Sequence, residues 1–258
     1  MVIKTWLVIL GGLTAVGLFA LIFFLAKSMG ITFGVYAGAM LLFYILAATT
    51  VSAATGFSEF IRGMLVGSNA SLNGLLLFEL LSQTGNAGLA QGVAIGFFAL
   101  NLLAIVKWIS QFEVYQALIG WANWCLPMSW PIVLLGLLFL LFSLLLAAVT
   151  GFQVQYLKLQ GLRVDWPTGT IFVKGGLVSN LNVWDTAFNM GNFAFVDMNS
   201  GDWHIEHESG HSLNLGAFGF IFHLLGAVDE LVFRQGDAYS ERLADSNAGG
   251  GNNIPMWA

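Results

Sequence analysis

"TWLVILGGLTAVGLFALIFFLA", residues 5–26, decides the class of the chain. No charged side chain interrupts it, and a helix needs about 20 apolar residues to cross a hydrocarbon core of about 30 Å. The run is too long for a signal-peptide core. Lys27 closes it without a small-x-small cleavage pattern before it, so the segment reads as a retained helix. Three further runs, at 33–54, 89–109 and 131–150, are also long enough to span, and Pro131 opens the last of them in the first-turn position that tolerates proline. Four spans place both ends of the chain on one side.

The composition agrees with that class. Of 258 residues, 57% are hydrophobic and 9% charged, with a mean hydropathy of +0.80, whereas soluble domains carry about 25% charged residues. Between the second and third runs, "GFSEFIRGMLVGSNASLNGLLLFELLSQTGNAG" (56–88) mixes Glu59, Arg62 and Glu79 with short apolar stretches and Gly-Asn breaks, the pattern of interfacial or re-entrant helices. "FEVYQALIGWANWCLPMSW" (112–130) reads similarly, because Trp and Tyr collect at the membrane boundary. Glu59, Glu79 and Lys107 lie near span ends, where snorkelling to the interface accounts for them. Lys4, Arg62, Lys158 and Arg163 fall on one side of the four-span arrangement, against Lys27 and Lys107 on the other. The positive-inside rule therefore puts both ends, and the C-terminal region, in the cytoplasm.

The net charge of -5 is carried by the last hundred residues. From residue 156 onward five basic residues face eleven acids, which argues against nucleic acid as a partner. Cys125 is the single cysteine, so an intrachain disulfide or thiolate cluster is excluded, and any metal must use His and carboxylates. The texture also changes here, dividing the chain into a transmembrane helical region with interfacial helices (1–155) and a small C-terminal α+β region (156–258). "GTIFVKGGLVSN" (169–180) and "NMGNFAFVDM" (189–198) read as neighbouring strands. A helix is expected from His204 to Val228, then a polar break at "RQGD" (234–237), a second helix through "AYSERLADS" (238–246), and a loose or wrapping tail, "NAGGGNNIPMWA" (247–258).

The motif that carries chemistry is "HIEHESGHSLNL" (204–215). Helical residues four apart lie on one face, so His207 and His211 can present imidazole nitrogens to one ion, with Glu208 placed to reach a water held there. That is the H-E-x-x-H arrangement of zinc hydrolases, in which the ion lowers the pKa of its water to about 7 and the Glu takes the proton. "ERLAD" (241–245) follows thirty residues after His211. Glu241 on a second helix is a suitable third ligand. Asp245, one turn on and on the same face, can accept the distal N–H of a ligating His and fix its tautomer.

H-E-x-x-H followed by E-x-x-A-D resembles the gluzincin zinc metallopeptidases, including membrane-embedded ones that join a helical bundle to such a domain. The resemblance covers residues 170–246 at most. It implies Zn²⁺ held by His207, His211 and Glu241, Glu208 as general base, and Asp245 behind a ligating His. It also implies a strand edge, within 189–197 or 170–180, that receives an extended peptide. The chain departs from the pattern in the short gap between the motifs and in Gly210, which costs the motif helix about 1 kcal/mol against Ala.

His204, one turn before His207, is an alternative ligand or hydrogen-bonding group. Asp229 and Glu230 are alternative third ligands. His223 lies about 120° round a continuous helix from His211 and points elsewhere. Tyr239 reads first as an ordinary packing tyrosine, and second as a phenol available to an oxyanion or substrate. The motif helix continues as "LNLGAFGFIFHLLGAV" (213–228), apolar on every side, as in a helix that is buried or lies against lipid. The expected function is a membrane-bound zinc metallopeptidase whose partners are the lipid bilayer and a peptide or membrane-protein substrate. The rival is a structural subunit of a larger membrane complex, whose metallopeptidase-like domain holds a zinc for stability or holds none. A channel or transporter is weaker, because no span carries a central charged pair.

Overall fold

The structure is a computed structural model and describes residues 2–50, 56–180, 187–197, 202–234 and 237–247. The chain is mostly helical (74%) with a small four-stranded sheet near the C-terminus. Helices α1 (Val2–Ala26), α2 (Met29–Thr50), α3 (Phe57–Ser82) and α4 (Ala87–Leu102) form an apolar bundle, and α4 ends in a 3-10 turn, Leu103–Ile105. Two short helices, α5 (Lys107–Ser110) and α6 (Glu113–Ala122), lead to α7 (Trp130–Val149). Two helix starts have local causes: Asn86 accepts the Leu89 N–H at the start of α4, and Pro131 sits in the first turn of α7.

Among the described residues, six helical stretches, not the expected four, are long and apolar enough to cross a membrane: Lys4–Ala26, Met29–Thr50, Phe57–Ser82, Ala87–Ile105, Trp130–Val149 and Ile205–Phe233, the last of them interrupted at Gly219. The first addition corrects the reading of residues 56–88 as separate short helices, because α3 is one continuous helix of 26 residues. Its Gly, Ser and Asn residues look like breaks in the sequence but are turned inward. A Cβ at Gly63 or Gly67 would collide with the backbone of Val8 or Gly12 on α1. The two helices therefore touch backbone to backbone, as small-residue faces allow in membrane helices.

Beyond α7 come β1 (Leu159–Asp165), β2 (Thr170–Gly175), α8 (Gly176–Asn180), β3 (Ala187–Met190) and β4 (Phe193–Val196). The sheet order is β1-β2-β4-β3, antiparallel except for the parallel pair β2 and β4. The two stretches read as strands thus contain neighbours, but residues 176–180 of the first form α8, the second holds both β3 and β4, and β1 went unread. Its pattern explains the omission, since most of "LQGLRVD" is exposed. Alternation splits β4 between two faces. Phe193 and Phe195 pack with Ile132, Val133 and Leu140 of α7, whereas Ala194 and Val196 pack with Phe172 and Ile205. The sheet is held between α7 and the start of the motif helix.

That helix, α9 (Asp202–Val228), extends into a π-helical turn (Asp229–Phe233), and α10 (Tyr239–Asn247) follows. It is not one rod. Gly219 has φ 81° and ψ 176°, outside the helical region, and the chain folds back there. Asn189 shows the fold-back directly, since its Nδ2 is 2.9 Å from the Glu208 carbonyl and its own carbonyl is 3.1 Å from His223 Nε2. On a straight helix those two positions would be separated by about 22 Å, at about 1.5 Å per residue.

A broken helix inside an apolar bundle frees backbone groups that must find partners. Asn69 Nδ2 donates to the carbonyls of Gly216 (3.2 Å) and Ala217 (3.1 Å), and Asn101 Nδ2 also donates to Gly216. Past the break, Phe220 N–H donates to the Met128 carbonyl at 2.7 Å. Asn123 Nδ2 donates to the Ser212 carbonyl at 2.9 Å. The "apolar on every side" segment is accordingly buried all round from His211 to Gly219. Beyond the break it reaches the surface, where Val232 and Phe233 are 66% and 74% exposed.

Candidate metal centre

The first half of α9 and the start of α10 bring three ligand atoms together. His207 Nε2 and His211 Nε2 are 3.2 Å apart, and Glu241 Oε2 is 3.1 Å from the first and 3.2 Å from the second. These are the described His, Cys, Asp and Glu residues that could hold a metal ion as a group. A tetrahedral ion with bonds of about 2.0–2.1 Å sets neighbouring ligand atoms about 3.3 Å apart. The near-equilateral triangle fits that requirement. Two imidazoles and a carboxylate suit a divalent transition-metal ion.

Asp245 holds the triangle from behind. His207 Nδ1–H donates to Asp245 Oδ1 at 2.9 Å, which orients the ring so that Nε2 is directed at the shared point. Burial works against a charge on Glu241, yet His211 and His207 outweigh it and hold the carboxyl well below the ordinary carboxylate range. Arg242, beside Glu241, turns away and pairs with Asp237 through two contacts of 2.7 and 2.5 Å. No positive charge from α10 therefore faces the triangle.

Glu208 is 3% exposed and lines the same cavity as the triad. The strand β3 lies alongside. Asn189 Nδ2 donates to the Glu208 carbonyl and to Ser212 Oγ (3.1 Å), and Ser212 Oγ donates to the Gly191 carbonyl (2.7 Å). These bonds tie the edge strand to the motif helix. The cavity has a volume of about 370 Å³. Its lining joins the polar groups of His207, Glu208, His211, Glu241 and Asp245 to apolar side chains such as Ile132 and Leu135 of α7 and Phe222 and Leu231 beyond the break.

The other candidate residues lie outside the triangle or beyond the described residues. Tyr239 is 1% exposed and packs edge-on to Tyr44 and Phe222, with ring centroids at 5.9 and 6.0 Å, away from the cavity lining. Burial raises its phenol pKa, and the group is part of the bundle core. Asp229 is engaged by Arg234 (3.1 Å), Tyr44 Oη (2.9 Å) and the Tyr239 N–H (3.3 Å), so it fastens α10 to α2 and α9. Glu230 lines the cavity but is not in the triad. The side chain of His204 and the 248–258 part of the tail lie outside the described residues. Glu59, at the start of α3, pairs with Lys4 at 3.0 Å.

The clearest correction concerns His223. Its expected direction assumed an unbroken helix. The fold-back at Gly219 returns it to the cavity, where its ring meets that of His211 edge-on at 6.1 Å. Gly219 within "GAFG" and the asparagines at 69, 73, 101 and 123 were the available signals. Buried amides in apolar helices need partners, and an interrupted helix supplies carbonyls. No protein-family model, curated protein or solved structure matches the chain.

Proposed function

We propose that the protein is an integral membrane zinc peptidase acting on polypeptides at or within the membrane boundary, similar in its catalytic arrangement to gluzincins. The observation that carries this reading is the triangle of His207, His211 and Glu241 with Asp245 behind it, built from H-E-x-x-H and E-x-x-A-D as the resemblance requires. The membrane setting rests on six long apolar helices with large exposed apolar side chains.

His207, His211 and Glu241 would hold the ion, and Asp245 would keep His207 in the ligating tautomer. Bound zinc supplies Lewis acidity and a water of lowered pKa. Glu208 accepts the proton of the attacking water as the new C–O bond forms, then delivers it to the amine nitrogen as the C–N bond breaks. β3 offers its backbone edge to an extended substrate beside these groups. Ile132, Leu135 and Phe222 exclude bulk water from the apolar side of the cavity.

Purified full-length protein in lipid nanodiscs, loaded with zinc, should cleave a quenched-fluorescent peptide library, and Glu208→Gln should retain zinc without cleaving. Stoichiometric zinc with no cleavage by the wild type would reject the peptidase reading in favour of a structural metal in a membrane subunit.

A further inference from the structure

β3 has a direction of hydrogen bonding that can be read from its neighbours. Ile171 N–H donates to the Asn192 carbonyl at 2.7 Å, so residues 192, 194 and 196 turn their backbone groups toward β2. Residues of one parity in a strand face one side, which leaves Phe193 and Phe195 facing β3. They stand opposite Met190 and Phe188. Asn189 and Ala187 therefore direct their N–H and C=O groups outward. Among the described residues no strand lies beyond β3 on that side, and all four residues of β3 line the cavity that contains the triad.

One outward group is already taken. The Asn189 carbonyl is 3.1 Å from His223 Nε2, and with Nε2 protonated the imidazole donates to it. His223 stands there because of the break at Gly219. A Cβ at that position would collide with Asn69 Oδ1, and the Asn69 amide nitrogen holds the carbonyls just before the break. Thus a side chain of the motif helix occupies the acceptor that an added strand would use first.

We infer that His223 is the edge guard of the site: it competes with a polypeptide backbone for the Asn189 carbonyl and yields only to a chain that offers an N–H at that point. The inference rests on the reading that extended polypeptides bind along β3. It identifies His223 as a specificity-determining residue rather than a metal ligand. Substrates then need a secondary amide at the position opposite Asn189, and proline or an N-methylated residue there cannot replace the imidazole, having no N–H to give. Segments folded as helices, whose amides are already bonded, are refused in the same way.

The test uses zinc-loaded full-length protein in nanodiscs and a fluorescent octapeptide cleaved by the wild type, with a scan of single backbone N-methylations. His223→Leu removes the competing donor at similar volume, and His223→Gln restores one. His223→Leu is expected to lower KM about fivefold with kcat changed less, as a single net hydrogen bond predicts. His223→Gln should return KM toward wild type. N-methylation at one position should abolish the advantage of His223→Leu, and methylation at its neighbours should not. Kd for the same peptides in a Glu208→Gln background gives the result without turnover. Cleavage that depends on Glu208, with KM or Kd indifferent to His223→Leu, would overturn the edge-guard role and keep the peptidase. Binding without cleavage would remove the peptidase and leave His223 judged by Kd. No binding of any peptide in the library would overturn both.

Discussion

His207 and Asp245, 38 residues apart, meet across two helices with Nδ1 and Oδ1 separated by 2.9 Å. The bond aims the other ring nitrogen at His211 and Glu241. Replacing Asp245 with Asn removes the charge that orients and polarises the imidazole while leaving the three ligands in place. Zinc affinity, measured by chelator competition, should fall about 10 to 100-fold. Asp237→Asn is unsuitable as a control, because Asp237 restrains Arg242 on the same helix. Glu79→Gln, on the exposed end of α3, should leave affinity unchanged.

Glu208→Gln should keep zinc at one per chain and lower turnover by about 10² to 10⁴, since the amide bonds a water but accepts no proton. Turnover close to wild type would remove Glu208 from its assigned role.

Metal removal should loosen the contact between α9 and α10. Zinc at a hundred times its Kd stabilises the folded chain by about 2.7 kcal/mol, and thermal unfolding in detergent should shift upward accordingly. Glu241→Ala should erase the shift. A zinc-dependent rise that survives in Glu241→Ala would place the ion elsewhere.

Gly219→Ala should destabilise the fold by more than about 2 kcal/mol, because the positive φ disfavours a side chain and the new methyl meets Asn69. Asn69→Leu should also destabilise, by leaving buried carbonyls with fewer donors. Thermal melts of both variants check this; a wild-type melt for Gly219→Ala would contradict the break.

Gly63→Val should separate α1 from α3 and lower the melting temperature, whereas Gly92→Val should be tolerated. A Cβ at Gly63 runs into the Val8 carbonyl, while nothing lies within 4 Å of one at Gly92. Equal melting temperatures for the two variants would contradict the close approach.

The sequence made plain whatever depends on local pattern. Apolar runs announced α1, α2, α4 and α7 because length and composition suffice to mark such helices. The spacing of His207, His211, Glu241 and Asp245 announced that these side chains would meet, since helical periodicity carries residues four apart to one face. Misreadings arose where a partner distant in sequence decides the outcome. Gly63 and Gly67 look like helix breakers until α1 is set against them. His223 follows the helical wheel only if Gly219 is helical, and that depends on Asn69 and Asn101, more than a hundred residues earlier. β1 has little alternation to reveal it, being mostly exposed.

The dependence of the break on Asn69 and Asn101 also orders the making of the molecule. Synthesis runs from the N-terminus, so α3 and α4 are complete before residues 202–233 emerge. The fold-back can settle only once those amides are in position, and it is the fold-back that sets His223 beside His211. Maturation of the cavity therefore trails assembly of the helical bundle. In pulse-labelled chains, protection of the His211 region from hydrogen exchange should lag behind protection of α3, and Asn69→Leu should lengthen that lag.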